Sequence, residues 1–128
     1  MTFRRVLVFI FTLVVSLLLT SLIVSYRREY SLRMGDDLIE ASWVGDVGKM
    51  RKLIESGADV NFHITAHPSC IPLTCAAQQG HIDAVQLLID NKVDVNATDH
   101  SRKTASQWAK EQNHNEIVGL LRQARARE

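Results

Sequence analysis

The chain has 128 residues, 46% of them hydrophobic and 6% aromatic, with a formal net charge of +1. That charge is divided, because residues 1–35 carry five Arg against one Glu, whereas residues 36–128 carry ten Lys or Arg against thirteen Asp or Glu. A mildly acidic soluble part lacks the basic stripe that nucleic-acid binding needs, so no nucleic-acid partner is expected.

Residues 6–26 form a run without a single charge, following a short tail at 1–5 that holds Arg4 and Arg5. About twenty such residues cross the hydrocarbon core of a bilayer. A cleaved signal has a shorter apolar region, of about 7–15 residues, and a small-x-small exit. Leu22-Ile23-Val24-Ser25 offers no such exit, which favours a retained single-pass anchor over a cleaved signal. Residues 27–35 read as a juxtamembrane linker. Arg4 and Arg5 on one side nearly balance Arg27, Arg28 and Arg33 on the other, and long domains cross membranes largely regardless of their charge. The expected topology has the amino terminus inside and the rest of the chain extracytoplasmic, in a periplasm or lumen.

Beyond the linker the sequence repeats. Leu53-Ile54-Glu55-Ser56-Gly57-Ala58-Asp59-Val60-Asn61 returns thirty-five residues later as Leu88-Ile89-Asp90-Asn91-Lys92-Val93-Asp94-Val95-Asn96. Ala41 and Gly45 precede Ala76 and Gly80 by the same interval, and a worn third copy places Ala109, Asn113 and His114 thirty-three residues after Ala76, Gly80 and His81. A helix that stops abruptly wants its next residue in the left-handed region, where Gly is easiest and Asn next best. Gly45, Gly80 and Asn113 therefore mark three equivalent helix ends, and Lys92, standing where repeat one has Gly57, must strain or turn differently. Ile82, Val85, Leu88 and Ile89 form an apolar helix stripe, matched by Val47, Met50, Leu53 and Ile54. Each repeat predicts a helix pair that buries its stripe only by stacking.

These residues resemble the ankyrin-repeat family. Its pattern of Thr-Pro-Leu-His-x-Ala-Ala-x-x-Gly-His and Gly-Ala-Asp-Val-Asn is met by Ile71-Pro72-Leu73-Thr74-Cys75-Ala76-Ala77-Gln78-Gln79-Gly80-His81 and Gly57-Ala58-Asp59-Val60-Asn61, within residues 36–124. The resemblance implies an all-α chain: a transmembrane helix, then a solenoid of about three repeats over 36–128, divided near 36–62, 63–98 and 99–128. Ile71 and Thr74 replace the family Thr and His, which weakens the bonding expected there. Thr104-Ala105-Ser106-Gln107 lacks the Pro and the Leu, and the polar carboxyl end suits a capping repeat. The connection between repeats one and two is two residues longer than the next, enlarging a loop within residues 62–71.

The family resemblance also implies a protein-binding module acting through a concave face. Its variable contact positions fall on Trp43 and Val44, Gln78 and Gln79, and Glu111 and Gln112. Loop tips add His67, then His100, Ser101 and Lys103. Trp43 stands out as an aromatic at a site expected to face solvent, the kind of residue enriched among interface hot spots. Its competing reading is packing against the chain after the anchor. Trp108, equivalent to Cys75, reads as core. His81 and His114 read as turn stabilisers, and Asn61 and Asn96 as ties to the loops that follow them.

His63, His67, Cys70 and Cys75 cluster in sequence but match no metal-ligand spacing, so no metal is expected, and no cofactor. A Cys70–Cys75 disulfide is the other use of these thiols, open to a domain outside the cytosol. No phosphate loop, His-Glu-x-x-His or Gly-x-Ser-x-Gly occurs, so neither an enzyme nor a small-molecule substrate is expected. Two functions stay open. One is a membrane-tethered adaptor, of which small bacterial ankyrin proteins suggest two forms, an immunity-like guard against a secreted toxin and an accessory to an envelope protein. The other is a small membrane subunit that assembles through its anchor, with Ser16, Thr20 and Ser21 in the helix contact.

Overall fold

The computed structural model describes residues 2–63 and 70–125, and the chain divides into two compact units, 1–32 and 33–128. Among the described residues it is all-helical, with six helices and no strand. Helix α1 (Phe3–Val44) supplies the first unit and opens the second. Its apolar side chains between Val6 and Tyr26 are exposed, and it is long and apolar enough to cross a membrane. The Tyr26 and Tyr30 rings stack at 6.4 Å at the end of that run.

The stretch 27–35, read from sequence as a linker, is helical throughout. Two local causes account for this. Glu29 and Arg33 stand four apart in the favourable acid-before-base order for a helix surface. Gly35 is no hinge either: it is buried, and a Cβ there would overlap the Phe62 ring, so its lack of a side chain serves ring packing.

Three helix pairs make the second unit. The end of α1 pairs with α2 (Val47–Glu55), α3 (Pro72–Gln79) with α4 (Ile82–Asp90), and α5 (Ala105–Glu111) with α6 (Asn115–Arg125). The first helix of each pair stops at the left-handed residue expected of it: Gly45 has φ +80°, Gly80 +81° and Asn113 +62°. Lys92 takes φ +63°, so of the two ways open to it the chain accepts strain where repeat one uses Gly57.

The starts differ among repeats. Asp46 caps α2 by accepting the Lys49 N–H at 2.9 Å. Pro72 occupies the first turn of α3, where its missing N–H costs nothing. Ile71 has no oxygen with which to cap, but Thr74 Oγ1 accepts the Ile71 N–H at 3.0 Å, so half of the reciprocal bonding survives. At α5 both halves are present: Thr104 accepts the Gln107 N–H, and Gln107 Oε1 accepts the Thr104 N–H.

The core runs through the stack. Leu38, Met50, Leu73, Ala76, Val85, Leu88, Ala109 and Ile117 are each at most 1% exposed, and Val47, Leu53, Ile54, Ile82 and Ile89 pack half-buried around them. Helix α3 packs on α5, and α4 on both α2 and α6. The alanines let the first helices approach closely.

Candidate protein-binding face

Polar bonds between repeats set the register of the candidate face. His81 Nε2 lies 3.0 Å from the Trp43 carbonyl oxygen, and His114 Nε2 lies 3.3 Å from that of Gln78. Each ring nitrogen must be the donor, since a carbonyl only accepts. These histidines thus clip each repeat to the one before it. Each ring sits on the preceding helix stop, where a Cβ on Gly45 would come within 2.6 Å of His81 and one on Gly80 within 2.7 Å of His114. Asn61 corrects another expectation: its Oδ1 accepts the Asp94 N–H at 2.7 Å, tying it to the next repeat rather than to its own loop. Asp59 and Asp94 close local turns by accepting the N–H of Asn61 and Asn96.

On this frame Trp43, Gln78 and Glu111 fall at corresponding ends of α1, α3 and α5. Trp43 is 45% exposed and Val44 65%. Gln79, Glu111 and Gln112 are exposed, and Gln78 is half-buried. Of the loop-tip residues, His100 and Ser101 are exposed and Lys103 is half-buried, whereas His67 lies outside the described residues. The His100 ring lies 5.1 Å from that of His63, so the start of the first connecting loop meets the next loop there.

A cluster around Asp99 was missed in the sequence. Asp99 is 5% exposed. Its Oδ1 accepts the Ser101 and Lys103 amides at 2.8 and 3.1 Å, and its Oδ2 accepts the Trp108 indole N–H at 2.5 Å. Lys103 Nζ stands 4.2 Å above the Trp108 ring and reaches Glu111 at 2.7 Å. Trp108 is therefore half-buried in a polar network, not the core residue expected from its equivalence to Cys75. Its indole needs an acceptor, and repeat three supplies one where the corresponding Cys75 needs none. An Asp two and four residues before the amides it accepts was the available signal.

Cys70 and Cys75 are joined as a disulfide, their Cα atoms 5.4 Å apart, within the range such a bridge spans. Cys75 is fully buried in α3, so the bridge fastens the foot of the connecting loop to the core. No group of three or more metal-ligating side chains occurs among the described residues.

Stacked helix pairs, left-handed stops and inter-repeat clips define an ankyrin solenoid. The family described as ankyrin repeats matches residues 38–127 in three copies, and the chain belongs to that family. It is similar to a probable E3 ubiquitin-protein ligase of Oryza sativa subsp. japonica, XBOS33, at 33% identity over 68% of this chain and 17% of that protein. It is also similar to ankyrin repeat domain-containing protein 63 of Mus musculus, at 35% identity over 56% of this chain and 18% of that protein. The chain thus spans less than a fifth of either relative. What is shared is a protein-interaction fold.

Proposed function

We propose that the chain is a membrane-tethered adaptor that holds one protein partner on the concave side of its repeats. The tether is the apolar part of α1. The observation that carries the reading is Trp43, which keeps 45% of its surface exposed beside the exposed Val44, at the end of the first repeat's leading helix. Gln78, Gln79, Glu111 and Gln112 extend the same line of helix ends across the stack, and Lys103, His100 and Ser101 add the loop side. An indole held in place by a packed helix loses little freedom on binding, which suits it to anchor an interface.

The repeats act on the extracytoplasmic side, as a guard or an accessory to an envelope protein. The Cys70–Cys75 bridge supports that side, because disulfides persist in the periplasm, lumen and exterior and are rare in reducing cytosol. A reporter fused after Glu128 and active only outside the membrane is the expected outcome. Activity inside would overturn the topology.

For the interface, the partner is recovered by crosslinking on the full chain and its affinity measured in detergent. Trp43→Ala is expected to weaken that affinity by about 2 kcal/mol or more with helix content unchanged. Unaltered affinity, or loss of folding, would remove Trp43 from the binding site.

A further inference from the structure

The carboxyl-terminal repeat carries a groove that neither the concave face nor the anchor uses. It is a cavity of about 130 Å³ between α5 and α6, with Val95, Val118 and Leu121 as its apolar lining, the small polar Ser106 among them, and Lys110, Arg122 and Arg125 at the rim. Its origin is one substitution. Leu38 and Leu73, at the corresponding place in the first two repeats, are fully buried, and repeat three has Ser106 instead. A side chain shorter by most of an isobutyl group leaves the space unfilled.

The rim is as distinctive as the floor. Lys110, Arg122 and Arg125 make no ion pair among the described residues. Arg122 and Arg125 also lie in the last turn of α6, where cations offset the negative end of the helix dipole, and that role alone would account for both of them. It does not account for Lys110, which comes from α5, nor for an apolar gap beneath all three. The repeat region as a whole is acidic, with thirteen Asp or Glu against ten Lys or Arg, so a patch of three cations without an ion pair among the described residues runs against its surroundings.

We infer that this groove docks an acidic segment of a protein partner, with one aliphatic side chain in the gap at Ser106 and flanking carboxylates on Lys110, Arg122 and Arg125. The size decides against a cofactor, since small-molecule sites run to about 300–1,000 Å³. The shape decides against an anionic lipid surface, which would meet a flat basic patch better than a narrow cleft with an apolar floor. Arg122 and Arg125 can each take a carboxylate through two parallel N–H bonds.

The test uses the full chain in discs of neutral phosphatidylcholine and a fluorescent peptide with a Glu-Leu-Glu core, followed by anisotropy. Binding is expected, weakened about tenfold or more when the core becomes Gln-Leu-Gln or Glu-Gly-Glu. Ser106→Leu restores the residue type of the first two repeats and should fill the gap, abolishing peptide binding while helix content and thermal midpoint hold. Arg122→Glu with Arg125→Glu should do the same through charge. The inference fails if the peptide does not bind, or if Ser106→Leu leaves its binding intact. It fails equally if phosphatidylserine discs, and not the peptide, engage the groove in a manner lost with the Arg changes, or if two copies of the chain associate through it. Trp43→Ala should leave peptide binding unchanged, which keeps this site separable from the concave one.

Discussion

Asp99→Ala is expected to destabilise the repeat unit by about 3 kcal/mol. Asp99 is 5% exposed and accepts three N–H donors, two from the backbone of its own loop and one from the Trp108 indole. Alanine accepts none of them, and donors left without partners in a buried site account for most of the cost. The loop that Asp99 organises leads into the Thr104 cap of α5, so the loss should reach the start of the last repeat. For a unit of about this size, 1 kcal/mol moves the thermal midpoint by roughly 4–8 °C, so a fall of about 10 °C or more should be seen by circular dichroism in detergent. Asp99→Asn separates the contributions. It can keep the backbone donors on its one oxygen, but its amide nitrogen would face the indole N–H, donor against donor. A cost near half that of alanine is expected, and Trp108→Phe should then add little to it. Full additivity of the two changes would show that the Asp99–Trp108 bond is not the coupling between them.

Leu88→Ala should cost about 3–4 kcal/mol, in the middle of the range for large-to-small changes at fully buried sites. Leu88 is 0% exposed in α4, the central helix that packs on both α2 and α6, so the vacated space opens in the middle of the stack. In a stack each repeat is stabilised by its neighbours, and a central defect weakens two interfaces at once. With only three repeats, that amount is a large part of the total stability of a domain. Urea unfolding is the suitable measurement. Leu88→Met, which roughly conserves volume, should cost less than about 1.5 kcal/mol, and the half-buried Ile89 truncated to Ala should cost visibly less than Leu88→Ala. Equal losses at the two positions would mean that burial in the stack does not rank these side chains.

Much of the fold could be read in the sequence because its signals are local. Gly45, Gly80 and Asn113 each report a helix stop through a backbone angle that few other residues accept, and Pro72 and Thr104 report starts. The apolar stripes gave the faces. What escaped was polar and distant. His81 finds its acceptor thirty-eight residues away and Asn61 its donor thirty-three residues away, so Asn61, assigned by sequence proximity to its own following loop, bonds the next repeat instead. Trp108 was placed in the core by equivalence to Cys75, yet an indole N–H has a hydrogen-bonding need that a cysteine in a disulfide lacks. Residues 27–35, read as a juxtamembrane linker, are helical, and Gly35 within them is fitted to the Phe62 ring, a contact made twenty-seven residues away. Of the candidate face, the exposure of Trp43, Val44, Gln79, Glu111 and Gln112 agrees with their positions in the repeat. In the Asp99 network behind Lys103 and Glu111, only the bonds of Asp99 to the Ser101 and Lys103 amides had a local signal; the Trp108 bond, nine residues away, had none.

The histidine clips also limit how this array could grow. Each joint needs three parts: a histidine before the second helix of one repeat, a carbonyl near the end of the previous leading helix, and a bare glycine beneath the ring. A copy of the second repeat carries all three and could be inserted after itself without new joinery, so lengthening by internal duplication is open. The third repeat lacks the last part. Asn113 holds the left-handed turn but puts a Cβ where the next ring would lie, so nothing can be added to the carboxyl-terminal end by the same joint unless Asn113 first reverts to glycine.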